Sequence, residues 1–173
     1  ATGLVGGAQN FNGSTAYISL PNNSSSLRTN IFTVEAWINL NAQHEWQYAF
    51  SAGDAGLDRS IIDFGEVEYP AGTKRFGGCI WPNAGIEGPA DAGTYAGQWH
   101  QLVYVLDAGN NKSYVYENGV QTAVGTGVLP GQADRFAIGA KFKGGDYMDG
   151  VLDEVRICGT PRSSNWVWAC YLN

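Results

Sequence analysis

The chain has 173 residues, with Lys plus Arg totalling 10 and Asp plus Glu 16, for a net charge of −6. An acidic chain without basic clusters is excluded as a nucleic-acid binder, because phosphate contacts need Lys and Arg. A hydrophobic content of 44% with 13% aromatics excludes disorder, and no apolar run approaches the ~20 residues of a membrane-spanning helix. The length suits one domain over residues 1–173. Charged residues make up 15% and glycine contributes 24 positions, so the chain is poor in charge and rich in turns.

Taken in chain order, period two dominates. Residues 16–20 read as a first strand. Phe32, Val34, Ala36, Ile38 and Leu40 then alternate with Thr33, Glu35, Trp37 and Asn39, a strand with one apolar face and a second face that is not plainly solvated. Residues 60–64, 75–81 and 99–107 read as further strands. Lys112–Glu117 and 120–124 flank Asn118-Gly119, which supplies the two positive-φ residues of a type I′ hairpin turn. Residues 136–141 and 151–157 complete the strand list. The one helix candidate is 163–170, with Ser163 or Ser164 as its cap. Many short strands, regular turns and no long helix predict an all-β, two-sheet antiparallel sandwich or jelly roll with a short C-terminal helix.

The cysteines are Cys79, Cys158 and Cys170. Cys158 closes a predicted strand and Cys170 follows shortly after. A bridge between them would stabilise the fold by about 3 kcal/mol through the unfolded chain and would favour an exported protein. Two buried thiols are the alternative. Cys79 reads as a buried free thiol. Three cysteines so spaced do not make a zinc site. The chain starts at Ala1 without Met or an apolar leader, which reads as a processed or excised domain.

Phe11-Asn12-Gly13-Ser14-Thr15-Ala16-Tyr17-Ile18-Ser19-Leu20-Pro21 resembles the L-x-F-D-G-x-x-D-Y-V-x-x-P opening of laminin-G-like, concanavalin-A-like jelly rolls. Phe32-Thr33-Val34-Glu35-Ala36-Trp37-Ile38 resembles their F-T-V-E-A-W-V strand, and Gly97-Gln98-Trp99-His100-Gln101-Leu102-Val103 their G-x-W-H-H-V-A. Tyr116-Glu117-Asn118-Gly119 is similar to their Y-V-N-G hairpin. Gly150-Val151-Leu152-Asp153-Glu154-Val155-Arg156-Ile157 is similar to their G-x-I-D-E-V-R-I, and Arg162-Ser163-Ser164-Asn165-Trp166 to their R-S-x-x-W ending. The resemblance covers nearly the whole chain, in order. Two family aspartates are Asn12 and Ala16 here, and the stretch from Asn41 to Tyr95 follows the pattern loosely.

The resemblance implies a binding or adhesive module of secreted proteins. It also implies a structural calcium ion, which some members hold through an Asp of the final strand. Asp153 stands at the similar position, and the expected ligands are Asp153 with backbone oxygens near Asn12 and Gly13. Glycosidases of this fold carry Glu-x-Asp-x-x-Glu on one strand, which places carboxylates for the reaction. The sequence lacks that motif. The nearest acidic cluster, Asp63 to Glu68, runs toward Pro70 and Gly72 and reads as a strand end and loop. No catalytic residue is assigned, and the chain is expected not to be an enzyme.

Sugar rings have apolar C–H faces and polar rims, so an aromatic platform with hydrogen-bonding neighbours is the expected partner. Trp99 and Trp166 fall on fold-defining motifs and read as core. The remaining aromatics lie where the family pattern fails, in loops that suit binding. The candidate ligand contacts are Trp46, Tyr48, Trp81, Asp146 and Tyr147, with Arg59 as a polar clamp. The expectation is a non-catalytic, lectin-like module that binds a polysaccharide or other glycan, located outside the cell or on its surface. The competing class is a structural or adhesive subunit of a surface layer, filament or phage coat, whose partners are other protein subunits or domains.

Overall fold

The computed structural model describes residues 1–20, 31–44, 46–54, 59–68, 74–80, 86–87, 96–126 and 133–173. Its strands are β1 (Gln9–Asn12), β2 (Ile18–Leu20), β3 (Ile31–Leu40), β4 (Gln47–Asp54), β5 (Arg59–Glu68) and β6 (Lys74–Ile80), followed by β7 (Ile86–Glu87), β8 (His100–Asp107), β9 (Lys112–Glu117), β10 (Val120–Gly125), β11 (Arg135–Ile138) and β12 (Asp149–Cys158). A single α-helix, α1 (Ser164–Leu172), closes the described chain. Sheet 1 has the order β1-β12-β3-β8-β9-β10 and sheet 2 the order β2-β11-β4-β5-β6-β7. Neighbouring strands pair antiparallel throughout. The expected two-sheet sandwich is formed.

The alternation read along β3 decides the layering. Phe32, Val34, Ala36, Ile38 and Leu40 are buried between the sheets, against Leu102, Tyr104 and Leu106 of β8 and Phe50, Phe64, Phe76 and Phe136 of sheet 2. Tyr104 packs near the rings of Phe32 and Phe64, at 6.1 and 6.2 Å between centroids. His100 bonds Glu117 through Nδ1 at 2.8 Å and lies 5.2 Å from the Phe76 ring, so it serves the structure as expected.

The other face of β3 is covered in part, with Thr33 and Glu35 buried and Trp37 half-buried, and cover continues over β8 and β9. Val103, Val105 and Tyr116 form a second apolar cluster with Val167 of α1, joined by Tyr114 and Trp166. Trp37 stacks on Tyr171 at 5.9 Å and 20° between planes. The helix begins at a Ser163 cap, whose side chain accepts from Trp166 N, and it lies over the outer face of sheet 1. A buried carboxylate sits under this cover: Glu35 accepts from Gln101 Nε2 at 2.7 Å, with Arg156 Nη1 at 3.5 Å.

Three local expectations shift. A strand at β4 was not expected. Strand β5 runs on through Glu68 instead of ending near Phe64, and β11 ends at Ile138 because Gly139 turns the chain at φ 81°. The hairpin is as read, with φ of 50° at Asn118 and 79° at Gly119. Among the described residues no helix is long and apolar enough to cross a membrane.

Candidate functional site

Strand register brings three loops to one end of the sandwich. Strands β1 and β3 end there and β4 and β12 begin there. Asn12 pairs with Asp149, Gly150 with Leu40, and Gly13 N and Asn41 N donate to the carbonyls of Met148 and Asp149 at 2.9 Å each. Gln47 clamps the loops from the core side. Its Nε2 donates to Ala42 O at 2.8 Å and its Oε1 accepts from Asp149 N at 2.7 Å. Tyr48 N donates to Asp146 O at 3.4 Å, which ties the β11–β12 loop to β4.

Aromatic and charged side chains share this end. Trp46 is 36% exposed and packs on Tyr48 at 6.4 Å between centroids. Tyr147 meets Tyr17, which is 40% exposed, at 6.1 Å. One ion pair and one histidine–carboxylate contact stand among them. Lys141 Nζ lies 3.4 Å from Asp146 Oδ2, and His44 Nε2 lies 3.6 Å from Asp149 Oδ2, whose Oδ1 accepts from Asn41 Nδ2 at 2.8 Å. Both Trp46 and Asp146 hold left-handed backbone, with φ of 64° and 45°. Such strain in non-glycine residues collects at functional sites.

Of the residues expected to meet a ligand, the structure brings Trp46, Tyr48, Asp146 and Tyr147 together. Tyr48 is only 4% exposed, so it supports Trp46 from behind and presents little surface of its own. Arg59 does not join them. It opens β5 paired with Asp54, at the far end of β4 from Gln47, seven strand positions and so about 24 Å away at ~3.4 Å per residue. Trp81 lies outside the described residues. Tyr17, Asn41 and Asp149 were not among the expected contacts. Tyr17 was read as part of a strand motif, and its exposed ring shows only once the β1–β2 loop is folded against the β11–β12 loop.

Two further expectations are corrected. Cys158 and Cys170 are free thiols. The Cys158 thiol donates to Thr160 O at 3.6 Å and its sulfur accepts from Arg162 Nε at 3.4 Å. Cys170 sits on α1, where burial first, and the Glu35 carboxylate second, push its thiol pKa up. Asp153, Asn12 and Gly13 do not fit a shared calcium ion either. Asn12 pairs with Asp149, and Asp153 follows four positions further along β12. Among the described residues no three His, Cys, Asp or Glu side chains gather around one point.

The family model of the concanavalin A-like lectin/glucanases superfamily, Laminin_G_3, matches residues 12–167. The chain belongs to this superfamily. No curated protein sequence matches it. Among solved structures, domain 4 of AbnA, an extracellular GH43 arabinanase of Geobacillus stearothermophilus in complex with arabinotriose, superposes with a TM-score of 0.75 at 24% identity, over 98% of this chain and 78% of that one. The SAP-like pentraxin of Limulus polyphemus gives 0.68 at 21% identity, over 94% and 80%. The CBM40 of the Ruminococcus gnavus IT-sialidase, bound to α2,3-sialyllactose, gives 0.70 at 11% identity, over 95% and 97%. These likenesses concern the fold of the superfamily. Function lives in the site that each member builds on it.

Proposed function

We propose that residues 1–173 act as one non-catalytic carbohydrate-binding module of an exported or surface protein, and that a glycan docks on the loop end through Trp46, Tyr147 and Asp146, with Tyr17 beside them. The observation that carries this reading is Trp46. Its ring is partly exposed and backed by Tyr48, on a backbone held at φ 64°, with the His44–Asp149 pair close by in the chain. An aromatic face with polar groups at its rim suits a sugar ring. The arabinotriose complex of the AbnA domain and the sialyllactose complex of the CBM40 support the carbohydrate class, since both folds resemble this one.

Affinity electrophoresis of the full chain in gels containing arabinan, xylan, β-glucan or α2,3-sialyllactose polymer tests the proposal. Retardation by at least one glycan, lost in Trp46→Ala, is expected. Migration unaffected by every polymer would remove the lectin reading. The competing adhesive-subunit reading draws on Trp168 and Leu172 of α1, which are 46% and 64% exposed. It predicts self-association on gel filtration that Trp168→Ser with Leu172→Ser abolishes.

A further inference from the structure

The calcium ion implied by the resemblance does not fit the donors expected to hold it, Asp153 with the backbone near Asn12 and Gly13, and what Asp153 does instead is visible. We infer that Asp153 does by direct hydrogen bonding what a cation does elsewhere: it staples the N-terminal hairpin to β12, and the fold is independent of calcium. This inference stands apart from the glycan reading.

Distance is the first argument. Gln9 pairs with Leu152 and Asn12 with Asp149. Asp153 therefore lies about 13 Å along the strand from the Asn12 position, at ~3.4 Å per residue. Calcium needs its oxygens at about 2.3–2.6 Å, so one ion cannot use both. Donor chemistry is the second. Asn12 Oδ1 accepts from the backbone N–H groups of Ser14, Thr15 and Ala16 at 3.2, 2.9 and 2.9 Å. Three N–H dipoles converging on one oxygen leave a positive surrounding that repels a cation. The carboxylate nearer Gly13 belongs to Asp149, and it is held by Asn41 and His44.

Asp153 is 5% exposed, and a buried carboxylate must be compensated. Backbone donors do this. Oδ2 accepts from Val5 N and Oδ1 from Glu154 N, each at 2.9 Å. The chain is shaped to deliver both. Residues 1–8 form a small hairpin, with Thr2 bridged to Gly7, Gly3 N on Gly6 O and Ala8 N on Ala1 O. A Cβ at Gly3 would come 2.5 Å from Asp153 Oδ2, so a side chain there would have to displace the carboxylate or the hairpin. Glu154 holds φ 51° beside the register shift between Asp153 and Arg156, which turns its N–H toward the carboxylate. Such charge-assisted bonds are the strong class.

The experiment compares melting of the full chain in about 5 mM CaCl2 and about 5 mM EDTA, concentrations that cover the weak extracellular range of calcium affinity. The two midpoints are expected to agree within about 1 °C, with no saturable heat on calorimetric titration with CaCl2. Asp153→Asn places an amide donor against one of the two N–H donors and should lower the midpoint by about 3–10 °C, equally in both buffers. Gly3→Ala should act in the same direction by displacing the hairpin, and it serves if Asp153→Asn does not fold. Slow hydrogen exchange at the Val5 amide, lost in Gly3→Ala, is the matching local signal. A calcium-dependent rise of several degrees in the wild type would overturn the inference. So would an Asp153→Asn protein as stable as the wild type.

Discussion

Replacing Trp46 separates ring from backbone, because the residue combines a partly exposed indole with φ 64°. Left-handed backbone costs a residue with a Cβ about 1–2 kcal/mol, and glycine almost none. Trp46→Ala and Trp46→Gly remove the same ring, but only the second relieves the backbone. The covered part of the indole is ~150 Å², worth at most about 4 kcal/mol at ~25 cal/mol per Å². Both variants should therefore melt below the wild type, with Trp46→Gly above Trp46→Ala by about 1 kcal/mol, or ~2–4 °C for a chain of this size. Glycan affinity should fall in both by about 30-fold or more, the ~2 kcal/mol typical of a truncated aromatic hot spot. Differential scanning calorimetry reads the first quantity and affinity electrophoresis the second. If Trp46→Gly melts no higher than Trp46→Ala, the strain argument is wrong. If either variant keeps its glycan retention, Trp46 is not the platform.

Two other predictions concern the helix and its seat. A Cβ at Gly119, where φ is 79°, would lie 2.6 Å from Cε3 of Trp168 and 3.1 Å from Cβ of Tyr171. Gly119→Ala should cost about 2–4 kcal/mol in urea melts, part of it recovered in Gly119→Ala with Trp168→Ala. Strict additivity of the two substitutions would mean that the ring does not bear on the turn. At Cys170, burial and then Glu35 hold the thiol pKa above its ordinary 9.0, with Arg156 and Arg162 opposing. Alkylation by iodoacetamide at pH 8 should be slower than for an unhindered thiol and faster in Glu35→Gln. Because the folded pKa is raised, the associated stability is full below the unfolded value and is lost as pH rises through the folded one. The urea midpoint should accordingly drop more steeply above pH ~9 in the wild type than in Cys170→Ala.

What could be read from the residues depended on how local the deciding force was. The β9–β10 hairpin was legible because Asn-Gly fixes its own backbone, and β3 because alternation survives wherever one face meets a core. Strand β4 was not legible. Its sequence, Gln-Tyr-Ala-Phe-Ser-Ala-Gly-Asp, is interrupted by register shifts between Tyr48 and Phe50 and between Ala52 and Gly53, which break period two. It is also covered on its outer side, where Phe142 packs over Gly53 and Ser51 Oγ donates to Ala140 O at 3.0 Å. The small residues that read as a loop are small because another segment presses on them. The loop-end residues Trp46, Asp146 and Tyr147 stood out because the superfamily pattern stops there. Arg59 was misplaced for a simple reason: it follows Trp46 closely in sequence, but all of β4 lies between them. The Asp153–Asn12 pairing failed because proximity across two strands depends on register, which no motif states.

Low charge and the position of the site share one cause. Sheet 1 has its inner face against sheet 2 and much of its outer face under α1, while the 139–148 segment covers part of sheet 2 outside β4. Strands covered on both faces have little room for Lys and Glu, and among the described residues the exposed aromatic rings, Tyr17, Trp46 and Trp168, stand at the loop end and on the free side of α1. The helix should then matter to stability and not to glycan binding. Val167 is fully buried against Val103, Val105 and Tyr116. Val167→Ala removes two methyl-sized groups from that seat, a loss of about 1.5–2.5 kcal/mol with its cavity, or ~3–10 °C in melting midpoint. Near-ultraviolet circular dichroism should report loosening of Trp166 and Trp168. Glycan retention at temperatures well below the midpoint should match the wild type, since Trp46, Asp146 and Tyr147 hang on β4 and the β11–β12 loop. A parallel loss of retention in Val167→Ala would place the binding surface on the helix side of sheet 1 instead of at the loop end.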